Sequence, residues 1–162
     1  MIINPDIAKL DKKQPYIWIA TWFGCGLINK APGTWGTLGA LPIGLLLLYG
    51  GGPLNLILGI FVVTALGFWS AHEFSKVTGT KDSKMIVIDE VAGMWIALLA
   101  AGLQPLLIII AFASFRLFDI WKPWPVSYFD RMDGAKGIML DDIVAGIMAA
   151  IVTYGAYIAF FG

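Results

Sequence analysis

Long apolar runs, broken by short clusters of glycine, proline or charge, set the pattern of this chain. They cover roughly 38–49, 54–72, 91–102, 105–118 and 143–161. Within each run hydrophobicity is continuous, without strict alternation of apolar and polar positions, and this predicts helices in place of barrel strands. "YGGGP" and "AGLQP" separate neighbouring runs by tight turns, since Gly and Pro end helices. The expected fold is all-α, an integral membrane helical bundle of four to five hydrophobic segments. Two of these, 38–49 and 91–102, are short: about 18 Å of helix against roughly 30 Å of hydrocarbon.

The polar positions are as informative as the apolar ones. If successive runs alternate in direction, residues 1–37, 73–90 and 116–142 share one side and hold all 11 basic and all 11 acidic side chains. The other side receives only "YGGGPLN", "AGLQP" and the terminal "FFG". A face that collects every Lys and Arg is cytoplasmic by the positive-inside rule, which places the N-terminus inside.

Composition agrees with a lipid environment. The chain is 59% hydrophobic and 14% charged, with a mean hydropathy of +0.80, against about 45–50% apolar and about 25% charged in soluble domains. Its 162 residues suit one membrane-embedded domain, 1–162, with 1–15 as a polar N-terminal tail and no cleavable signal. A formal net charge of zero argues against nucleic acid as a partner. Cys25, the one cysteine, permits neither an intrachain disulfide nor a multi-cysteine metal site. Trp18, Trp22, Trp35, Trp121 and Trp124 flank the apolar runs as an interfacial belt would, and His72 reads as an interfacial polar residue.

Three acidic stations lie on the charged side. "IVIDEV" puts Asp89 and Glu90 at the start of the third run, "RLFD" puts Asp119 at the end of the fourth, and "GIMLDDIVAG" puts Asp141 and Asp142 at the start of the fifth. Acids at helix N-termini are explained by the dipole and the free N–H groups alone. Asp119 has no such explanation, because a carboxylate at a helix C-terminus meets the negative end. It needs a cation, either Arg116 on the same helix face or a metal ion. Hard oxygen donors without a second His or Cys suit Mg²⁺, which keeps positions for water and phosphate. An anion cradle could come from "GCGLINKAPGTWGTLGALP", residues 24–42, where Gly33, Thr34, Thr37 and backbone N–H groups lead into a helix. Lys30, Arg116, Lys122 and Lys136 are the cations in reach. The loop is not a Walker A motif, since it lacks G-K-[ST] and a preceding strand.

"APGTWGT", "IVIDEVAGMWIAL", "FRLFDIWKPWPV" and "GIMLDDIVAG", in this order, resemble the phosphatidylglycerophosphatase A family of bacterial membrane phosphatases, from about Gly24 to Gly146. The resemblance implies Mg²⁺-dependent removal of the terminal phosphate from phosphatidylglycerophosphate, giving phosphatidylglycerol. It implies Asp89, Glu90, Asp119, Asp141 and Asp142 as acidic and metal-binding positions, with Arg116 and Lys122 as the basic ones. Asp89, Asp119, Asp142 and Arg116 are the expected catalytic set; Lys30, Gly33, Thr34, Thr37, Arg116, Lys122 and Lys136 are the expected substrate contacts. The expected location is the bacterial inner membrane, with the site on its cytoplasmic face, membrane lipids as surroundings and no obligate protein partner.

Rival chemistries fail on spacing. A cysteine phosphatase needs Arg six residues after its Cys, where this chain has Ala31. A histidine phosphatase needs more than one His. A phospholipid-forming phosphotransferase is the nearest alternative, but "DGAKG" lacks the Ala-Arg that should follow its Asp-Gly. A transporter would carry charge at mid-depth, and these runs carry none.

Overall fold

The computed structural model describes residues 10–11, 13–80 and 83–162; most of the polar tail, Lys81 and Asp82 lie outside the described residues. Among the described residues six α-helices follow one another: α1 (Pro15–Ala20), α2 (Pro32–Thr78), α3 (Ile88–Ala101), α4 (Pro105–Trp121), α5 (Val126–Asp130) and α6 (Ala135–Phe161). One 3₁₀ turn, Cys25–Leu27, links α1 to α2. No strand occurs among the described residues.

The boundaries follow from the punctuation. Pro32 and Pro105 occupy first-turn positions, where a missing N–H costs nothing. Gly79 and Gly102 end α2 and α3 at φ +68° and +58°, in the left-handed half of the map that glycine enters freely. Within α2, Gly51 and Gly52 leave helical geometry, and Gly52 at φ +66°, ψ −161° occupies a region reserved for glycine. This break divides α2 into limbs 32–50 and 53–78. A side chain at Gly59 would touch Leu47 as well as Trp95, so the limbs fold back on one another as a hairpin.

α3 is the axis of the bundle, packed against α2, α4 and α6. Ile88, Val91, Ala92, Met94, Ala97 and Leu98 are fully buried. Its contact with α6 is backbone on backbone. A Cβ at Gly146 would lie 2.4 Å from the Gly93 carbonyl oxygen, and one at Gly93 would lie 2.5 Å from the Asp142 carbonyl oxygen. Small residues are what allow two helices to approach this closely. Trp95 reaches sideways from α3, its Nε1 donating to the Ala40 carbonyl at 2.8 Å.

The outer surface is apolar. Leu46, Phe61, Ile109, Ile151 and Phe160 are each exposed, as expected of side chains that meet lipid. Pro32–Thr78 and Ala135–Phe161 are long and apolar enough to cross a membrane. α3, at 14 residues, spans only about 21 Å. The first run begins earlier than its hydrophobicity suggested, because the helix starts at Pro32 and takes in the Gly-rich loop. One member of the expected aromatic belt belongs to the interior instead. Trp22 is buried and meets Trp95 edge to face at 5.8 Å, whereas Trp18, Trp35, Trp121 and Trp124 are exposed.

Candidate active site

Four helices converge on one cavity of about 790 Å³, three of them bringing charge to it. The start of α2 contributes Gly33, the start of α3 Asp89 and Glu90, and the end of α4 Arg116, Asp119 and Lys122; α6 begins at Ala135, before the apolar run, so Asp141 and Asp142 enter from inside that helix and not from its first turn as the sequence suggested. The Gly93–Gly146 contact explains why the acidic stations of the third and fifth runs meet. It fixes α6 against α3 one turn beyond the acids, so Asp142 stands beside Asp89 and Glu90. One carboxylate oxygen from each of these three lies within 4.8 Å of the others.

Burial makes that grouping costly for the protein alone. Asp89 Oδ1 and Glu90 Oε2 are buried without a hydrogen-bond partner. Both residues precede the apolar span that starts at Val91. Burial, then the charges of Glu90 and Asp142, holds the Asp89 carboxyl well above the usual carboxylate range. Burial is also the main cause that lifts Glu90 to about 7, with the Asp119 charge adding to it and Asp89 and Arg116 opposing. Carboxylates forced together in this way, with oxygens left over, fit a divalent cation: the donors are hard, anionic and unsatisfied by the protein.

The other two acids are held by cations. Arg116 Nη1 lies 2.5 Å from Asp119 Oδ2 and 3.9 Å from Glu90 Oε1. The same nitrogen donates to Thr37 Oγ1 at 3.2 Å, and that hydroxyl donates to the Gly33 carbonyl at 2.8 Å. Arg116 therefore supplies the cation that Asp119 requires at a helix C-terminus, while its Nε remains buried and unpartnered. Lys122 caps α4 in the left-handed conformation at φ +47°, a departure that costs a non-glycine residue about 1–2 kcal/mol. The turn it makes brings Nζ to Asp130 and, at 2.8 Å, to Asp141 Oδ2. Although burial opposes it, the hydrogen bonds that the ammonium donates to these two carboxylates raise the Lys122 pKa, so it stays charged. Asp141 Oδ1 also accepts the Asp142 backbone N–H at 2.9 Å, inside α6.

Of the residues expected from sequence, Asp89, Glu90, Asp119, Asp141, Asp142, Arg116, Lys122 and Gly33 share the cavity lining. Thr37 stands behind it, bonded to Arg116. Thr34, Lys30 and Lys136 are not part of the lining, and Lys30 and Lys136 are exposed. His72 is exposed and outside it. Sequence reasoning missed Lys84, Asp130, Arg131 and Asp133, which all line the cavity. The signal for Asp130, Arg131 and Asp133 was the density of charge in "YFDRMDGAK", and for Lys84 the polar stretch "KVTGTKDSKM".

A family model described as Phosphatidylglycerophosphatase A matches residues 18–157. The chain is 40% identical over 161 residues to a protein of Escherichia coli named phosphatidylglycerophosphatase A, covering 93% of this chain and 90% of that one. It is 38% identical over 156 residues to a Haemophilus influenzae protein of the same name, covering 95% and 96%. It is 36% identical over 143 residues to a Bacteroides thetaiotaomicron protein named putative phosphatidylinositol-3-phosphatase, covering 83% and 89%. No solved structure matches the chain.

Proposed function

The chain belongs to the phosphatidylglycerophosphatase A family, and from that premise we propose that its cavity hydrolyses the terminal phosphomonoester of phosphatidylglycerophosphate with Mg²⁺ as cofactor, releasing phosphatidylglycerol and phosphate. It is a phosphoric monoester hydrolase. The observation that carries the Mg²⁺ reading is the trio Asp89, Glu90 and Asp142, with ligand atoms within 4.8 Å and two buried oxygens unpartnered. Those three residues would hold the ion, with Asp119 beside them. When bound, Mg²⁺ supplies positive charge to phosphoryl oxygens and acidifies coordinated water.

This chain's own residues supply the rest. Arg116 is aimed by Asp119 and Thr37 and retains donors for phosphoryl oxygens, which gain charge in the transition state. Lys122 is too firmly protonated to serve as a proton donor, so its part is a fixed positive charge at the cavity wall. Water attacks phosphorus, the P–O bond to the glycerol oxygen breaks, and a carboxylate of the cluster takes the proton that water loses. The released glycerol oxygen takes a proton in turn and becomes the hydroxyl of phosphatidylglycerol. The lipid stays in the bilayer while its head group enters a cavity at the charged helix ends, on the cytoplasmic face of the inner membrane.

Phosphate release by purified protein from phosphatidylglycerophosphate in neutral detergent micelles tests this directly. Activity with Mg²⁺, its loss in chelator and its return on adding Mg²⁺ is the expected result. Unchanged turnover in chelator would overturn the metal reading. Turnover confined to phosphatidylinositol 3-phosphate would overturn the substrate.

A further inference from the structure

Four cations line the cavity, and they fall into two pairs. Arg116 and Lys122 are partly buried and engaged, the first by Asp119 and Glu90, the second by Asp130 and Asp141. Lys84 and Arg131 are exposed, and neither has an ion pair among the described residues. They arrive from different directions, Lys84 from the connection into α3 and Arg131 from the residue that ends α5. The acidic trio and its attendant cations occupy the buried part of the cavity, and these two occupy its exposed part.

The proposed substrate has a matching asymmetry. Its reacting phosphomonoester is separated by one glycerol unit from a second phosphate, a diester that joins the head group to the acyl-bearing glycerol. With the monoester at the buried cluster and the chains in lipid, the diester must pass through the exposed part. We propose that Lys84 and Arg131 form a subsite for this diester phosphate and so select lipids that carry two phosphates. The inference rests on the function proposed above. A diester anion has two non-bridging oxygens, which the planar fork of Arg131 can take as a pair while Lys84 adds a point charge. The carboxylates on the same part of the lining do not remove this capacity: Asp130 is engaged by Lys122, and Asp133 sits two residues beyond Arg131, whose guanidinium has five donors. Neither cation belongs to the metal cluster, so the pair should govern binding and leave the chemical step alone.

Product inhibition separates the two subsites. Phosphatidylglycerol carries only the diester, and inorganic phosphate reports only the buried cluster. The variant Lys84→Gln/Arg131→Gln removes both charges and keeps polar side chains of similar reach. Lys76→Ala, which removes a cation paired with Glu73 outside the cavity, is the control for general surface charge. In neutral micelles, KM for phosphatidylglycerophosphate and the inhibition constant for phosphatidylglycerol should each rise roughly tenfold or more in the double variant. The kcat and the inhibition constant for inorganic phosphate should stay within about twofold of the parent, as charge-assisted binding at a separate subsite requires. Unchanged KM, no inhibition of the parent by phosphatidylglycerol, an equal rise for both inhibitors, or an equal effect of Lys76→Ala would each overturn the subsite. A parent enzyme inert toward phosphatidylglycerophosphate would instead overturn the function itself.

Discussion

Gly33 is where the smallest change should do the most to the chemistry. A methyl group placed there would lie 2.1 Å from Glu90 Oε1, 3.2 Å from Glu90 Cδ and 3.3 Å from Arg116 Nη1. Real Cβ contacts do not close below 3.0 Å, so in Gly33→Ala the Glu90 carboxylate has to retreat by roughly 1 Å, a misplacement that can cost about a hundredfold in turnover. The clash is with the far end of a flexible side chain and not with backbone, so the helix itself need not move. Overpacking of this kind costs about 1–3 kcal/mol where nothing can yield, and here the expected loss of stability is at the lower end. Initial rates at saturating lipid and Mg²⁺, read beside a thermal melt of the same sample, are the assay. The expected outcome is turnover reduced about a hundredfold with a melting temperature within a few degrees of the parent. Because the damage passes through Glu90, Gly33→Ala should add little in a Glu90→Ala background. Parent-level turnover in folded Gly33→Ala would refute the reasoning, because the position of the Glu90 carboxylate would then not matter.

Asp89→Asn should lower turnover by more than about a hundredfold and yet raise the melting temperature in chelator, since it removes a carboxyl whose ionised form is penalised by burial and then by the charges of Glu90 and Asp142; a lower melting temperature in chelator would contradict that penalty. Arg116→Lys keeps the charge and loses the planar fork, so the protein should stay folded while kcat falls at least about tenfold; unchanged kcat would reduce Arg116 to a partner for Asp119. Gly146→Ala sets a methyl group 2.4 Å from the Gly93 carbonyl, which only separation of α3 and α6 can relieve. Stability should drop by about 1–3 kcal/mol, measured by denaturation in mixed micelles, and activity should drop with it.

The helices were legible because their signals are local. "YGGGP" and "AGLQP" announce breaks in the chain itself, and the structure places Gly51–Gly52 and Gly102 there. The acidic stations were legible for the complementary reason: Asp119 sits where a helix dipole rejects it, which demands a partner whatever the rest of the fold. What the chain concealed was direction across a loop. Lys30 and Lys136 fall in the right stretches but stand exposed outside the cavity, while Lys84 and Arg131, from equally polar stretches, line it. No spacing rule relates Lys122 to Asp130 and Asp141, because the bonds depend on a left-handed turn at Lys122 that nothing in "WKPWP" requires. Trp22 misled for a similar reason: a tryptophan beside an apolar run fits a membrane interface and a core pocket equally, and only Trp95 decides between them.

The contact between Gly93 and Gly146 also determines what kind of ruler measures the carboxylate cluster. Most intersite distances in a bundle are averages over side chains that change rotamer and over lipids that press from outside. At Gly146 this crossing is backbone against the Gly93 backbone, and the limit of approach is the hard surface of a peptide carbonyl. The spacing from Asp89 and Glu90 to Asp142 is thereby tied to covalent backbone dimensions, which neither acyl-chain length nor membrane fluidity alters. Changes in the medium around the bundle would leave the separation of these carboxylates the same.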